Sequence, residues 1–135
     1  MRYVLRCLML CIGILAAPGL PVADETHDYL YYRDVLVPPY QSLREFFDMP
    51  ERPGVYEVHF ISESFGPLTF RVESVHEDVE TVIKQTRSYH VDNHRFQTNF
   101  YNPDGQLDLR VEVSNSNPVA AAKVSVIIIE VPIQR

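Results

Sequence analysis

The chain has 135 residues, with 18 acidic and 12 basic side chains and a formal net charge of −6. An acidic chain repels phosphate backbones, and no basic patch interleaved with aromatic residues is visible, which argues against a nucleic-acid partner. The length is that of one ordinary domain, which can bury a core without staples.

The N-terminus has the layout of a secretory signal peptide over residues 1–23. Arg2 and Arg6 precede an apolar run over residues 8–17, which is the usual order of a charged and an apolar region. The run is about ten residues long, and a membrane-spanning helix needs roughly 20. We therefore expect cleavage after Gly19 or Ala23, export to the periplasm or the exterior, and no membrane span afterwards.

Both cysteines, Cys7 and Cys11, lie inside this leader. The exported chain would therefore contain no disulfide, although small domains in oxidising compartments often use them. Residues 24–135 are expected to be stabilised by a packed core alone, without a cofactor.

Residues 24–53 are expected to hold an N-terminal strand, a proline-rich linker and a short helix that belong to the same domain as the rest. Aromatic and branched side chains from Tyr29 to Val37 indicate a strand, which ends at the prolines that follow.

The helix is predicted within residues 40–49. Ser42 and Glu45 match a capping box, and Leu43, Phe46 and Phe47 share one face at helical spacing. One or two helical turns are expected there before a proline ends them.

Residues 54–135 show the two-residue period of half-buried antiparallel strands. Strands are predicted over residues 55–61, 68–73, 94–101 and 107–113, and the composition of residues 79–87 also favours a strand. Together with the first and last strands, these seven candidates predict an all-β antiparallel β-sandwich, Ig-like or jelly-roll, with Greek-key links.

The closing segment is apolar on both faces. Val124, Val126 and Ile128 have one parity along a strand, and the residues between them have the other. One row should enter the core, so the other must be covered by residues 29–37, by residues 43–47 or by a partner. The predicted partner-binding residues are that second row and the tyrosines of the first strand: Tyr29, Tyr31, Tyr32, Ile127, Ile129 and Val131.

Few residues resemble metal ligands. The weak candidates are His90, Asp92 and His94, with His76, Glu77 and Asp78 as possible neighbours. Asp104 and Asp108 offer oxygens for calcium, but the EF-hand pattern is absent and a hairpin turn is favoured. Polar residues at loops and strand ends are the favoured interpretation of both groups.

No catalytic constellation is visible outside the leader. There is no cysteine nucleophile, no Gly-x-Ser-x-Gly elbow and no phosphate-binding glycine loop. The leading hypothesis is an exported, non-enzymatic module that binds another envelope or extracellular protein or a second copy of itself. The alternatives are a carbohydrate-binding module with a tyrosine-rich face and, third, a metal-dependent hydrolase.

Overall fold

The computed structural model describes residues 29–132, and the expected signal peptide lies outside these residues. The described chain folds into eight antiparallel strands, with no helix among them. Within this range no helical segment is long and apolar enough to cross a bilayer. The strands are β1 (Tyr29–Val37), β2 (Ser42–Phe47), β3 (Gly54–Ser62), β4 (Leu68–His76), β5 (Val79–Ser88), β6 (His94–Asn102), β7 (Asp108–Asn115) and β8 (Ala122–Val131).

The strands form two four-stranded sheets. Sheet 1 has the order β1-β8-β3-β6, and sheet 2 has the order β2-β7-β4-β5. Only the β4–β5 connection stays within one sheet, and every other connection crosses from one sheet to the other. This arrangement is a jelly roll, which confirms the predicted antiparallel sandwich.

The core lies between the sheets and follows from the two-residue period of the strands. Tyr56, Val58 and Phe60 of β3 are completely buried, as are alternate residues of β4 and β7. Phe60 stacks on Phe70 of the opposite sheet with ring centroids 5.1 Å apart. Side chains from two inner faces that interdigitate in this way form the hydrophobic core of a sandwich.

The predicted helix is wrong, because Ser42–Phe47 forms strand β2 and pairs with β7. The same residues also fit a strand, with Leu43, Glu45 and Phe47 facing inward. Pairing with β7 satisfies their backbone groups along the strand, whereas so short a helix has little stability of its own. The adjacent Phe46 and Phe47 therefore point to opposite faces, and they are 50% and 1% exposed.

This placement gives a stability prediction for the two phenylalanines. Phe47→Ala is expected to lower the free energy of unfolding by about 3–5 kcal/mol, because it leaves a cavity in the core. Phe46→Ala should cost less than about 1 kcal/mol, since half of that side chain is in solvent. Urea unfolding of both variants measures the difference, and equal costs would contradict the strand register.

Charged side chains point inward at both open sides of the sandwich. At the β1–β2 side, Arg33 Nη1 lies 2.7 Å from Glu45 Oε2 and the guanidinium lies over the Phe47 ring. At the β5–β6 side, Lys84 Nζ donates a hydrogen bond to the carbonyl of Gln97 at 3.3 Å. Inward-pointing charges on edge strands discourage the addition of another strand.

The two ends of the sandwich differ in composition. The loop end, as we call it, carries the connections at residues 38–41, 63–67, 89–93 and 116–121. The acidic end carries residues 48–53, 77–78 and 103–107, and β1 begins and β8 ends there. Strands of nine residues separate the ends by about 30 Å.

Candidate binding surface

The second row of β8 lies on the outer face of sheet 1, between two neighbouring strands. Ile127 is opposite Tyr32 of β1 on one side and His59 of β3 on the other, and Ile129 is opposite Tyr29. Opposed residues of an antiparallel pair point to the same face. We call Tyr29, Tyr32, Ile127, Ile129 and Val131 the apolar patch.

Two tyrosines reach this face because β1 is irregular. Tyr29 and Tyr32 are three residues apart, so in a regular strand they would point to opposite faces. A register shift between Tyr29 and Tyr31 brings both to the outer face, where their ring centroids lie 5.9 Å apart. A bulge of this kind commonly re-aims a side chain.

Tyr31 is the one predicted residue that the structure does not bring to the patch. It packs against the core, with its ring centroid 5.2 Å from that of Phe47. Its hydroxyl donates a hydrogen bond to the backbone carbonyl of Asp48. Both contacts hold it on the inner side of β1.

Burial within the patch is uneven. Ile127 is only 9% exposed although it points outward, because the flanking side chains of Tyr32 and His59 shield it. Ile129 and Val131 are half-buried, and both tyrosine rings are about half exposed. The centre of the patch is therefore already partly desolvated, as the centre of an interface is.

Sequence reasoning missed two members of this surface, Val55 of β3 and Tyr101 of β6. Val55 is opposite Val131 on one side and the exposed Tyr101 on the other. The alternation of β3 and β6 placed both outside the core, but the strand order that puts them beside Val131 was not visible in the sequence. These two residues extend the apolar patch toward β6.

No described segment lies over the patch. Of the two covers predicted within the chain, residues 43–47 belong to sheet 2, and β1 is the edge neighbour of β8 in the same sheet. Among residues 29–132, the outer row of β8 is thus shielded only by side chains of its own sheet. The remaining candidates are a partner and the residues outside the described range.

Polar side chains surround the patch. Gln97 Nε2 donates to Glu57 Oε1 at 2.7 Å, and Ser125 Oγ donates to Asp34 Oδ1 at 2.6 Å. An apolar centre with a polar rim is the usual anatomy of a protein interface.

The predicted metal candidates are divided between the two ends. His90, Asp92 and His94 belong to the loop end, whereas His76 and Glu77 belong to the acidic end. The described residues contain no group of three or more His, Cys, Asp or Glu side chains arranged to hold a metal.

His94 is a buried structural residue that joins three segments. Its Nδ1 accepts a hydrogen bond from Ser88 Oγ at 2.7 Å, and its Nε2 donates to the carbonyl of Ser64 at 2.9 Å. The side chain is completely buried. Both ring nitrogens are thus occupied in the neutral tautomer that carries its proton on Nε2.

Burial lowers the pKa of His94 below its ordinary value of 6.5, although the bond to Ser64 opposes the shift. The folded state therefore binds a proton at His94 less readily than the unfolded state does. The stability that the neutral His94 side chain contributes is lost as the pH falls below about 6.5. Urea unfolding at about pH 7.5 and pH 5.5 should show the loss. The pH dependence of the free energy of unfolding should be weaker in His94→Gln. An unchanged pH dependence would mean that His94 is not its source.

A cleft of about 450 Å³ lies at the acidic end. It is lined by carboxylates that include both calcium candidates, Asp104 and Asp108, and by His76. Asp108 is already used structurally, because its Oδ1 accepts a hydrogen bond from the backbone of Met49 at 3.0 Å. The carboxylates that line the cleft therefore account for the charge of this end, and Asp108 anchors the chain after β2.

The outer face of sheet 2 carries a network of ion pairs. Glu73 lies 2.5 Å from Arg71, and Glu80 lies 2.5 Å from Arg110. Burial opposes ionisation of Glu80, but hydrogen bonding with Glu73 and the charge of Arg110 outweigh it, so the pKa of Glu80 is lowered. The two carboxyl groups do converge, which the sequence did not reveal, but each has an arginine partner.

The chain matches no protein-family model and no curated protein. Its fold is similar to that of several solved structures. The mitogen derived from Yersinia pseudotuberculosis is 13% identical with a TM-score of 0.53, over 78% of this chain and 88% of that one. A chain of the naturally occurring empty particles of Cowpea mosaic virus is 10% identical with a TM-score of 0.54, over 80% and 86%.

A third similar structure is that of the CBM22-1 and GH10 modules of Clostridium thermocellum xylanase 10B, complexed with xylohexaose. It is 11% identical with a TM-score of 0.52, over 80% of this chain and 25% of that chain. At such low identity these similarities establish a shared β-sandwich fold, and function has to be argued from the surface itself.

Proposed function

We propose that this protein is an exported, non-enzymatic binding module that docks onto another protein through the apolar patch. The observation that carries the proposal is a contiguous apolar surface on sheet 1 with no described segment over it. Contiguous apolar surface of this kind marks an interaction site. The leader-like residues 1–23 support export to the periplasm or the exterior.

Docking on the face is favoured over addition of a strand at an edge. Arg33 and Glu45 close one side of the sandwich, and Lys84 closes the other. These inward charges oppose edge pairing. The outer face of sheet 2 is charged, so the patch on sheet 1 is the better surface for a partner.

The composition of the patch favours a protein over a sugar. Branched aliphatic side chains occupy its centre, where Ile127 and Ile129 lie beside the two tyrosines. Tyrosines beside a desolvated aliphatic centre are typical of interface hot spots. A sugar would instead rely on hydrogen-bonding side chains near the rings, and two of those on this face, Glu57 and Gln97, are already bonded to each other.

The charge around the patch indicates the chemistry of the partner. The patch adjoins the acidic end, with Glu57 beside Ile129 on the outer face and Asp34 on the same face of β1. A second copy of this acidic chain would bring like charges together, which disfavours self-association here. The partner that fits is a protein with an apolar surface bordered by basic residues.

Carbohydrate binding remains the second candidate function. The specific observation for it is the presence of Tyr29, Tyr32 and Tyr101 on one sheet face, since aromatic rings suit sugar stacking. The similar fold of the xylanase modules complexed with xylohexaose is compatible with this candidate. Retention on immobilised xylan, abolished by Tyr32→Ala, would favour it over a protein partner.

Photo-crosslinking in the native host tests the proposal. A photoreactive phenylalanine analogue is placed at Tyr32 in the patch and, as a matched control, at Phe46 on the outer face of sheet 2. The two side chains are similarly exposed, at 55% and 50%. We expect one defined protein adduct from position 32 and none from position 46. No adduct from either position, or the same adducts from both, would contradict the proposal.

A further inference from the structure

Exposed apolar side chains are concentrated at the loop end, on the tips of all four connections. They are between 58 and 85% exposed, a large fraction for side chains of this size. Each connection contributes at least one of them: Tyr40, Phe65, Tyr89, Val91 and Val119. The sequence gives no reason for this recurrence, because loop tips are usually polar.

Hydrogen bonds tie the four connections into one rigid platform. Asn117 accepts from the backbone of Tyr40 at 3.2 Å, and its side chain donates to the Gly66 carbonyl at 3.4 Å. Ser64 accepts from His94, which in turn accepts from Ser88. The tips are thus held in position before any ligand arrives, which lowers the entropic cost of binding.

Charge is distributed unevenly between the two ends. Within two residues of the loop-end connections, the basic side chains Arg87, Arg95 and Lys123 outnumber the acidic Glu63 and Asp92. Arg87 also lies over the ring of Tyr89, at 5.3 Å. By the same measure, the acidic end has Arg52 as its one basic residue against Asp48, Glu51, Glu77, Asp78, Glu80, Asp104 and Asp108.

We propose that the loop end seats on the surface of an anionic lipid bilayer, with the exposed loop tips in the interfacial layer and the acidic end facing away. A protein partner would need a pocket for each protruding tip, whereas a fluid bilayer accepts separate tips without a matching shape. Tyrosine rings suit the membrane interface, where one end is apolar and the other is wet. The unequal charge orients the acidic end away from anionic lipid.

This surface lies at the opposite end of the strands from the acidic border of the apolar patch. The module could therefore contact a bilayer and a protein at the same time. The two proposals rest on different residues, and either can fail without the other.

A single introduced tryptophan tests the lipid proposal, because the chain contains no tryptophan of its own. Val119→Trp reports on the loop end, and Val79→Trp is the matched control at the acidic end. Both valines are well exposed, so both variants should fold. With vesicles of phosphatidylcholine containing about one third phosphatidylglycerol, emission should shift to shorter wavelength for position 119 alone.

Flotation of the native-sequence protein with the same vesicles gives a second readout. Val119→Asp should weaken partitioning about tenfold, since it replaces an inserted apolar side chain with a charge. Val79→Asp should leave partitioning unchanged.

Three results would overturn the proposal. The first is the absence of vesicle binding, and the second is equal binding to pure phosphatidylcholine, which would remove the role of charge. The third is an equal emission shift at both tryptophan positions, which would mean that the loop end is not the contacting surface.

Discussion

Ile128→Asp is expected to unfold the domain. Ile128 is completely buried in the core, opposite Val58 of β3 and Tyr31 of β1. A carboxylate at this position would be buried without a partner, and the transfer of an unpaired charge out of water costs more than most domains have in total stability. Circular dichroism and urea titration of the purified variant should show no cooperative unfolding transition.

The neighbouring residue provides the control for this experiment. Ile129→Asp introduces the same side chain one position later on the opposite face of β8, where the residue is half-buried. It should retain a cooperative transition. A folded Ile128→Asp would mean that the register between β8 and its neighbours is different from the one described.

Asn115→Leu is also expected to have a large effect on stability. Asn115 is buried at the end of β7, and its side-chain amide donates to the carbonyls of Val37 and Ala120 at 3.1 and 2.9 Å. Its Oδ1 accepts from the backbone of Asn117 at 2.9 Å. Leucine has a similar size but would leave these buried groups unpaired, at a cost on the order of 3 kcal/mol or more.

The matched control is Asn99→Leu on β6, where the asparagine is exposed. It should change the free energy of unfolding by less than about 0.5 kcal/mol. Equal changes in the free energy of unfolding for the two substitutions would show that the hydrogen bonds of Asn115 do not stabilise the fold. Because Asn115 joins the first and last loop-end connections, its loss should also loosen the platform proposed to contact lipid.

Most of the strands could be predicted from the sequence because each buries one face. Alternation of this kind is clearest in β3 and β7, and both form as predicted. In β5 the whole strand is exposed, with only its last residue half-buried, so β-propensity was the only signal there. The helix prediction failed at β2 because a six-residue segment with two adjacent phenylalanines fits either period, and only pairing with β7 decides.

Buried polar residues could not be predicted in the same way. Asn102, Asn115 and His94 sit at strand ends, where a sequence suggests solvated loops. Each is buried because it satisfies backbone groups of another segment, such as the Leu107 amide and carbonyl that bond to Asn102. Such partners lie in the connections and in neighbouring segments, and the two-residue alternation of a strand does not indicate them.

The candidate surface was predicted in part. The parity of Ile127, Ile129 and Val131 followed directly from the pleat of the strand. The position of Tyr31 did not, because the irregular register near the start of β1 changes which tyrosines point outward. The loop-end tips were not predicted at all, since their common location depends on the topology of the jelly roll.

The central claim is that a partner, and not the domain itself, covers the outer row of β8. The most direct test measures two properties of Ile129→Asp: its free energy of unfolding and its co-purification with proteins of the native host. Val82→Asp, at an exposed valine of sheet 2, is the control. We predict that the free energy of unfolding of Ile129→Asp lies within about 1 kcal/mol of that of the unsubstituted protein. We also predict that this variant loses a co-purifying protein that Val82→Asp retains. If Ile129→Asp instead unfolds the isolated protein, or retains the same co-purifying proteins, the patch is not the docking surface.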